Sequence, residues 1–248
     1  MKVIANNLWS DFTRENYKKL LKIAAAKYNI VTVSDWQNSK ATGIWRHDVD
    51  CSPHRALDLA KIESDEGVVA TYYFNMRSEF YNLFEPTTLS IVREIQLMGH
   101  EIGLHLDSTQ CDVSAVSKLE ESLFKEKYIL ESIFNIEIKS FSFHNPSEIT
   151  NKYKDHSYAG LINAYSKGLM SNFKYCSDSG GYWRFTPLEK FLQQNHKNIC
   201  VLSHPEWWPD QELSPRNRIL RCIEGRAIST LHQYDGLLKK IGRENIES

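Results

Sequence analysis

Several short stretches end in side chains able to bind a metal or move a proton. Asp48 and Asp50 form an Asp-x-Asp pair closing the run Gly43-Ile44-Trp45-Arg46-His47. In an extended segment residues i and i+2 share a face, so both carboxylates enter one site. Two carboxylates that close repel unless a cation lies between them or one takes a proton. Either outcome is useful chemistry: one can hold a metal while the other serves as a base. The competing reading is a helix cap and a surface ion pair, since Ser52-Pro53 follows as a helix start. His105 closes a second run, in which Gly103 and His105 face one way and Ile102 and Leu104 the other. Asn75, His144-Asn145, Asp178 and Ser203-His204 close further runs, while His100, ahead of its run, reads as structural.

The elements behind these residues alternate. A helix after Thr13 carries Tyr17, Leu20, Leu21, Ala24 and Tyr28 on one face, and Ile30 to Val33 reads as a strand. After the Gly43 strand, a helix carries Ala56, Leu59, Ala60 and Ile62 and stops at Gly67. The pattern continues with a strand over Val68 to Phe74, a helix around Thr88 to Met98, a strand over Glu101 to Leu106 and a helix from about Ser114 to Ile133. Strands follow at Ile138 to Phe143, Tyr175 to Cys176 and Asn198 to Ser203. A long amphipathic helix opened by Ser214-Pro215 is expected to bury Ile219, Ile223, Ala227, Leu231, Tyr234, Leu238 and Ile241. Strands alternating with helices indicate a parallel sheet. In a closed α/β barrel the active site is built at the C-terminal ends of the strands, where Asp48, Asp50, His105, Asp107, His144, Asp178 and His204 fall. The expectation is one α/β barrel domain over 1–248: an N-terminal helix and strand (1–40), a motif-bearing barrel (41–208) and a C-terminal helix (214–241).

Composition agrees with a globular fold and excludes other classes. Of 248 residues 42% are hydrophobic and 25% charged, and 30 Lys plus Arg against 31 Asp plus Glu give a net charge of −1. No electrostatic case for a nucleic-acid partner follows, and no stretch is long and apolar enough to span a membrane. The N-terminus has no apolar export segment. Five scattered cysteines, none in a CxxC, favour reduced thiols in the cytoplasm. No G-x-G-x-x-G, Walker A loop or G-x-S-x-G elbow is present.

The segments WRHDVD, GHEIGLH, SFHNP and LSHPEWW, in this order from about Gly43 to Trp208, resemble the motifs of polysaccharide deacetylases of the NodB-homology type, carbohydrate esterase family 4. The resemblance implies a distorted (β/α) barrel that removes N- or O-acetyl groups from sugars with one divalent metal, usually zinc. It implies Asp48 as catalytic base and Asp50 as metal ligand, although the family has these adjacent and here Val49 intervenes. The first histidine of the family's second motif matches His105, and the place of the second falls at Thr109. The third motif's arginine before a proline is met here by His144-Asn145-Pro146, and His204 matches the general acid. Catalytic zinc commonly has three protein ligands. His144 is the first choice for the third because it ends another strand on the same rim, with Asp107 next.

Aromatic residues near the motifs fit a sugar. Asp178, Trp183 and Trp207 are candidates for substrate binding, with core or rim packing the alternative for each aromatic, while Arg46 reads equally as an orienting charge or a structural ion pair. The reaction expected is metal-assisted hydrolysis, Asp48 taking a proton from water and His204 giving one to the departing amine. Without an export signal, a nucleotide- or lipid-linked precursor of a surface polysaccharide such as O-antigen is the expected substrate. Two rivals are a hydrolase of another amide, such as a cyclic ureide or imide, and a metal-free binding or regulatory subunit.

Overall fold

The computed structural model describes residues 9–37, 40–183 and 185–246; residues 1–8, where the export-signal reading begins, lie outside it. In chain order the elements are α1 (Arg14–Ala25), β1 (Ile30–Val31), β2 (Gly43–Val49), α2 (Pro53–Asp65), β3 (Thr71–Phe74), α3 (Pro86–Leu97), β4 (Glu101–Asp107), α4 (Val116–Phe134), β5 (Ser140–His144), β6 (Ser157–Tyr158), β7 (Leu161–Asn163), α5 (Lys167–Asn172), β8 (Lys174–Ser177), α6 (Leu188–Gln193), β9 (Ile199–Ser203) and α7 (Pro215–Lys240). The helix starts follow local chemistry. Thr13 Oγ1 accepts from Asn16 N at 3.2 Å, and Ser52 Oγ accepts from Arg55 N at 3.3 Å with Pro53 first in its helix.

The strands run β6-β7-β5-β4-β3-β2-β9-β8, and β1 adds to β2. All pairings but β6–β7 are parallel, so the strands from β2 to β5 and β8 to β9 finish on one rim. The two ends of the sheet curl toward each other. The Arg46 guanidinium of β2 lies 4.4 Å over the ring of Tyr165, just past β7, and feels the field of Tyr175 on β8. Among the described residues β8 pairs with neither β6 nor β7, so this barrel-like sheet is distorted along that seam.

Alternation separates two cores. Outward residues Trp45, Tyr72, Phe74, Ile102, Leu104, Leu106 and Phe141 pack under the helices, while Val33, Ile44, Tyr73, Leu169, Phe173 and Cys200 fill the barrel floor. Gly103 is required there. It is in register with Tyr73, and a Cβ at 103 would stand 2.4 Å from that tyrosine ring. Between sheet and helices sits one buried polar cluster: the Glu63 carboxylate accepts from Tyr17, from His47 Nε2 at 2.6 Å and from Tyr72 at 2.6 Å. His100 is structural as expected, accepting from Ala70 N at 3.1 Å and donating to the Ala60 carbonyl at 3.0 Å.

Three expectations need correction. The strand expected from Val68 begins at Thr71, and the strand expected over Ile30 to Val33 stops at Val31, where a 3-10 turn over Val33–Asp35 begins. The short elements β6, β7, α5 and α6 carry no periodic pattern long enough to read. The terminal helix does not bury its apolar face. Ile219 packs on the core, but Ile223, Ala227, Leu231, Tyr234 and Ile241 are exposed and Leu238 is half-buried, because α7 meets the body through its opposite side.

Candidate active site

Asp48 points inward from β2, and Asp50 follows just beyond the strand's end. Asp48 is buried, with Oδ2 accepting from Ser142 Oγ at 3.1 Å while Oδ1 has no hydrogen-bond partner. His105 points inward from β4 for the same reason that Gly103 does. Its Nδ1–H donates to the Ser142 carbonyl at 3.3 Å, which turns Nε2 toward Asp50. His144 ends β5, and Asn145 turns the chain away at once in a left-handed conformation (φ 47°) that asparagine tolerates.

These placements form a triangle. Asp50 Oδ1 lies 3.1 Å from His105 Nε2 and 3.1 Å from His144 Nδ1, and the two nitrogens are 3.2 Å apart. Ligands of a tetrahedral ion at about 2.0–2.1 Å are about 3.3–3.4 Å apart, so the triangle needs only a slight opening to become one face of that tetrahedron. Among the described residues, this is the group of three or more His, Cys, Asp or Glu side chains whose ligand atoms converge closely enough to hold an ion. The Asn145 side-chain nitrogen lies 2.8 Å from His144 Nε2 and helps orient the ring so that Nδ1 faces Asp50.

The electrostatics favour a cation. Burial opposes ionisation of Asp50, but hydrogen bonds from His105 and His144 hold its carboxyl far below the usual range. The Asp50 hydrogen bond is in turn the main cause that raises His144 above an ordinary histidine. Burial, followed by the nearby Asp50 charge, pushes the Glu206 carboxyl up to about 8.

His204 stands across the cavity, its Nε2 3.9 Å from Asp50 Oδ2. Its Nδ1–H donates to Asp178 Oδ1 at 2.5 Å. Asp178 Oδ2 accepts from His204 N at 3.0 Å and from Ser203 Oγ at 2.8 Å, and Trp208 Nε1 donates to that hydroxyl at 2.5 Å. Burial disfavours the imidazolium, but the Asp178 charge and hydrogen bond outweigh it and hold His204 protonated well above the usual range. The site opens into a cavity of about 420 Å³, walled by Phe143, Tyr165, Tyr175, Phe185 and Trp207 among others.

Asp48, Asp50, His105, His144 and His204 therefore meet in one cavity, as does Trp207. Asp178 also lines this cavity, its two oxygens hydrogen-bonded to His204 and Ser203. Trp183 is buried away from the cavity, stacked on Phe12 at 4.7 Å and packed against Trp208. Asp107 turns from the triangle to accept from Thr109 Oγ1 (2.7 Å), Thr109 N (2.9 Å) and Gln110 (3.0 Å), and Asn75 caps its own turn through Arg77 N at 2.8 Å. Sequence reasoning missed Ser142, Tyr165, Tyr175 and Phe185. Only Ser142 carried a signal, lying two residues before His144 on the same face. Arg46, set two residues before Asp48, is fully buried beneath it. Its guanidinium nitrogens find no hydrogen-bond acceptor among the described residues.

No family model matches this chain and no curated protein matches it. Solved structures do. The catalytic domain of a peptidoglycan N-acetylglucosamine deacetylase from Eubacterium rectale is similar at 15% identity over 76% of this chain and 85% of its own, with a TM-score of 0.46. The Xyl-CE4 domain of a multidomain xylanase from the hindgut metagenome of Trinervitermes trinervoides matches at 14% identity over 81% and 90%, with a TM-score of 0.45. A CE4 family pseudoenzyme from Bacillus anthracis matches at 13% identity over 76% of this chain, TM-score 0.43, and this chain spans 61% of its length; for a mutant with restored activity the share is 63%. These likenesses assign neither a residue nor an activity to this chain. The xylanase domain and the pseudoenzyme are both described as CE4.

Proposed function

We propose that the protein is a metal-dependent hydrolase that removes an acetyl group from an N-acetylated sugar. The observation that carries this reading is the Asp50–His105–His144 triangle, flanked in one cavity by an unpartnered Asp48 oxygen and a protonated His204. Two imidazoles and a carboxylate suit zinc. When bound, a divalent cation polarises an acyl oxygen and lets water attack at neutral pH. Asp48 Oδ1 accepts the proton of the attacking water. His204, with Nδ1–H fixed on Asp178, gives its Nε2 proton to the amine as the C–N bond breaks, so that acetate and a free amino sugar leave.

The cavity has room for one sugar ring beside aromatic walls. A terminal acetamido sugar, as on a nucleotide- or lipid-linked precursor of a surface polysaccharide such as O-antigen, fits that space. The five cysteines are free thiols, which agrees with a cytoplasmic protein, and among the described residues no helix is long and apolar enough to cross a membrane. The test is acetate release from a panel of nucleotide-linked N-acetyl sugars after loading with zinc, nickel, cobalt or manganese. Acetate release with one bound metal per chain supports the proposal. Hydrolysis of cyclic imides or ureides alone moves the substrate class, and failure to bind any metal leaves a binding subunit.

A further inference from the structure

The helix α7 is amphipathic in the inverse sense. It meets the body through Arg218, Cys222, Gly225, Arg226 and Ser229, which line a cavity against the first turns of α2 and α3. Arg218 is buried, donating to the Gly181 carbonyl at 3.2 Å, and Arg226 pairs with Glu85 at 2.5 Å. The apolar side chains point the other way: Leu220, Ile223, Leu231, Tyr234, Leu237 and Ile241 are each 44–57% exposed. At 3.6 residues per turn the row Leu220, Ile223, Ala227, Leu231, Tyr234, Leu238, Ile241 falls within an arc of about 80° and runs about 30 Å along the helix. With Ile228 and Leu237 it presents on the order of 800 Å² of surface, the share of one partner in a standard interface and more than a monomer usually leaves open.

The row also matches itself reversed. About a centre between Thr230 and Leu231, Leu220 maps onto Ile241, Ile223 onto Leu238 and Ala227 onto Tyr234. We propose that two copies of this chain pair through α7, antiparallel, about a two-fold axis beside Leu231. The small Ala227 of each copy then faces the large Tyr234 of the other, which lets the helices approach closely, and Leu231 packs near its own counterpart. Such an interface is isologous and closes at two chains. A lipid surface is the competing occupant. It favours a polar face rich in free Lys and Arg, whereas here the body takes Arg218 and Arg226, and Glu224 and Asp235 border the row.

Sedimentation equilibrium of the full chain at micromolar concentration tests this, with an expected mass twice 28.8 kDa. Leu231→Glu brings two like charges together at the axis and is expected to give a single-chain mass with unchanged circular dichroism, since the side chain faces solvent. Leu231→Cys is expected to form a disulfide-linked dimer under mild oxidation and Leu220→Cys is not; these mild changes keep the test open if the glutamate variant fails to fold. A single-chain mass for the unsubstituted protein overturns the proposal, as does a dimer that folded Leu231→Glu leaves intact. Leu220→Cys cross-linking in place of Leu231→Cys overturns the antiparallel arrangement. Cosedimentation of a single-chain species with phosphatidylglycerol vesicles assigns the row to lipid instead.

Discussion

His144 Nδ1 stands 3.1 Å from Asp50 Oδ1, and so β5 supplies the corner that closes the ligand triangle begun by β2 and β4. The register pairs His144 with Asp107 across β4 and β5, yet only His144 turns into the cavity. Asp107 spends its oxygens on Thr109 and Gln110.

That difference predicts the ligand set. His144→Ala is expected to weaken metal binding at least ~100-fold, and Asp107→Ala to leave it nearly unchanged. Because Asp50 raises His144, the metal must displace a proton from it, so affinity rises with pH through the histidine's raised pKa. Titration calorimetry in buffers of different ionisation enthalpy measures both the affinity and the released proton.

Asp48 and Asp50 are expected to separate cleanly. Asp48→Asn keeps shape and metal but cannot take a proton, so turnover falls ~10²–10⁴-fold at full occupancy. Asp50→Asn loses metal and activity together. Metal content and acetate release on the same preparations decide it, and the opposite pattern swaps the two roles.

The Asp178–His204 pair predicts a pH dependence. A histidine with a raised pKa is charged below that value and loses its proton as pH rises through it. As general acid, His204 therefore sets the alkaline limb of kcat/KM, and stability from the pair is lost over the same window above ~6.5, the usual histidine value. Asp178→Asn removes the charge that holds the proton, so the alkaline limb is expected to move down toward the ordinary range. An unmoved limb would assign it to another group.

Glu63 predicts a purely structural effect. It is fully buried and serves three donors from α1, β2 and β3. The His47 charge, its strongest opponent to burial, holds its pKa down. Glu63→Ala strands these groups and is expected to cost ~3–5 kcal/mol in urea denaturation, with acetate release per folded molecule unchanged.

What the sequence disclosed follows from strand geometry. Parallel strands finish on one rim, so Asp48, Asp50, His105, His144 and His204 could be grouped from their strand-end positions alone. Position along a strand does not tell which atoms pair, so the Asp178–His204 hydrogen bond was not legible in it. Nor does an aromatic beside two glycines reveal whether it faces a cavity, and Trp183 went inward onto Phe12. Periodicity in α7 showed an apolar face without showing its partner. Strands as short as β6 and β7 hold too few residues for any period to register.

The crossing of Tyr73 over Gly103, with Phe173 and Leu169 beneath, has a consequence for traffic. The cavity is a cul-de-sac, and everything that enters must leave by the same mouth. On the proposed reading, a glycan would not be threaded through the barrel but met at an end or a side branch.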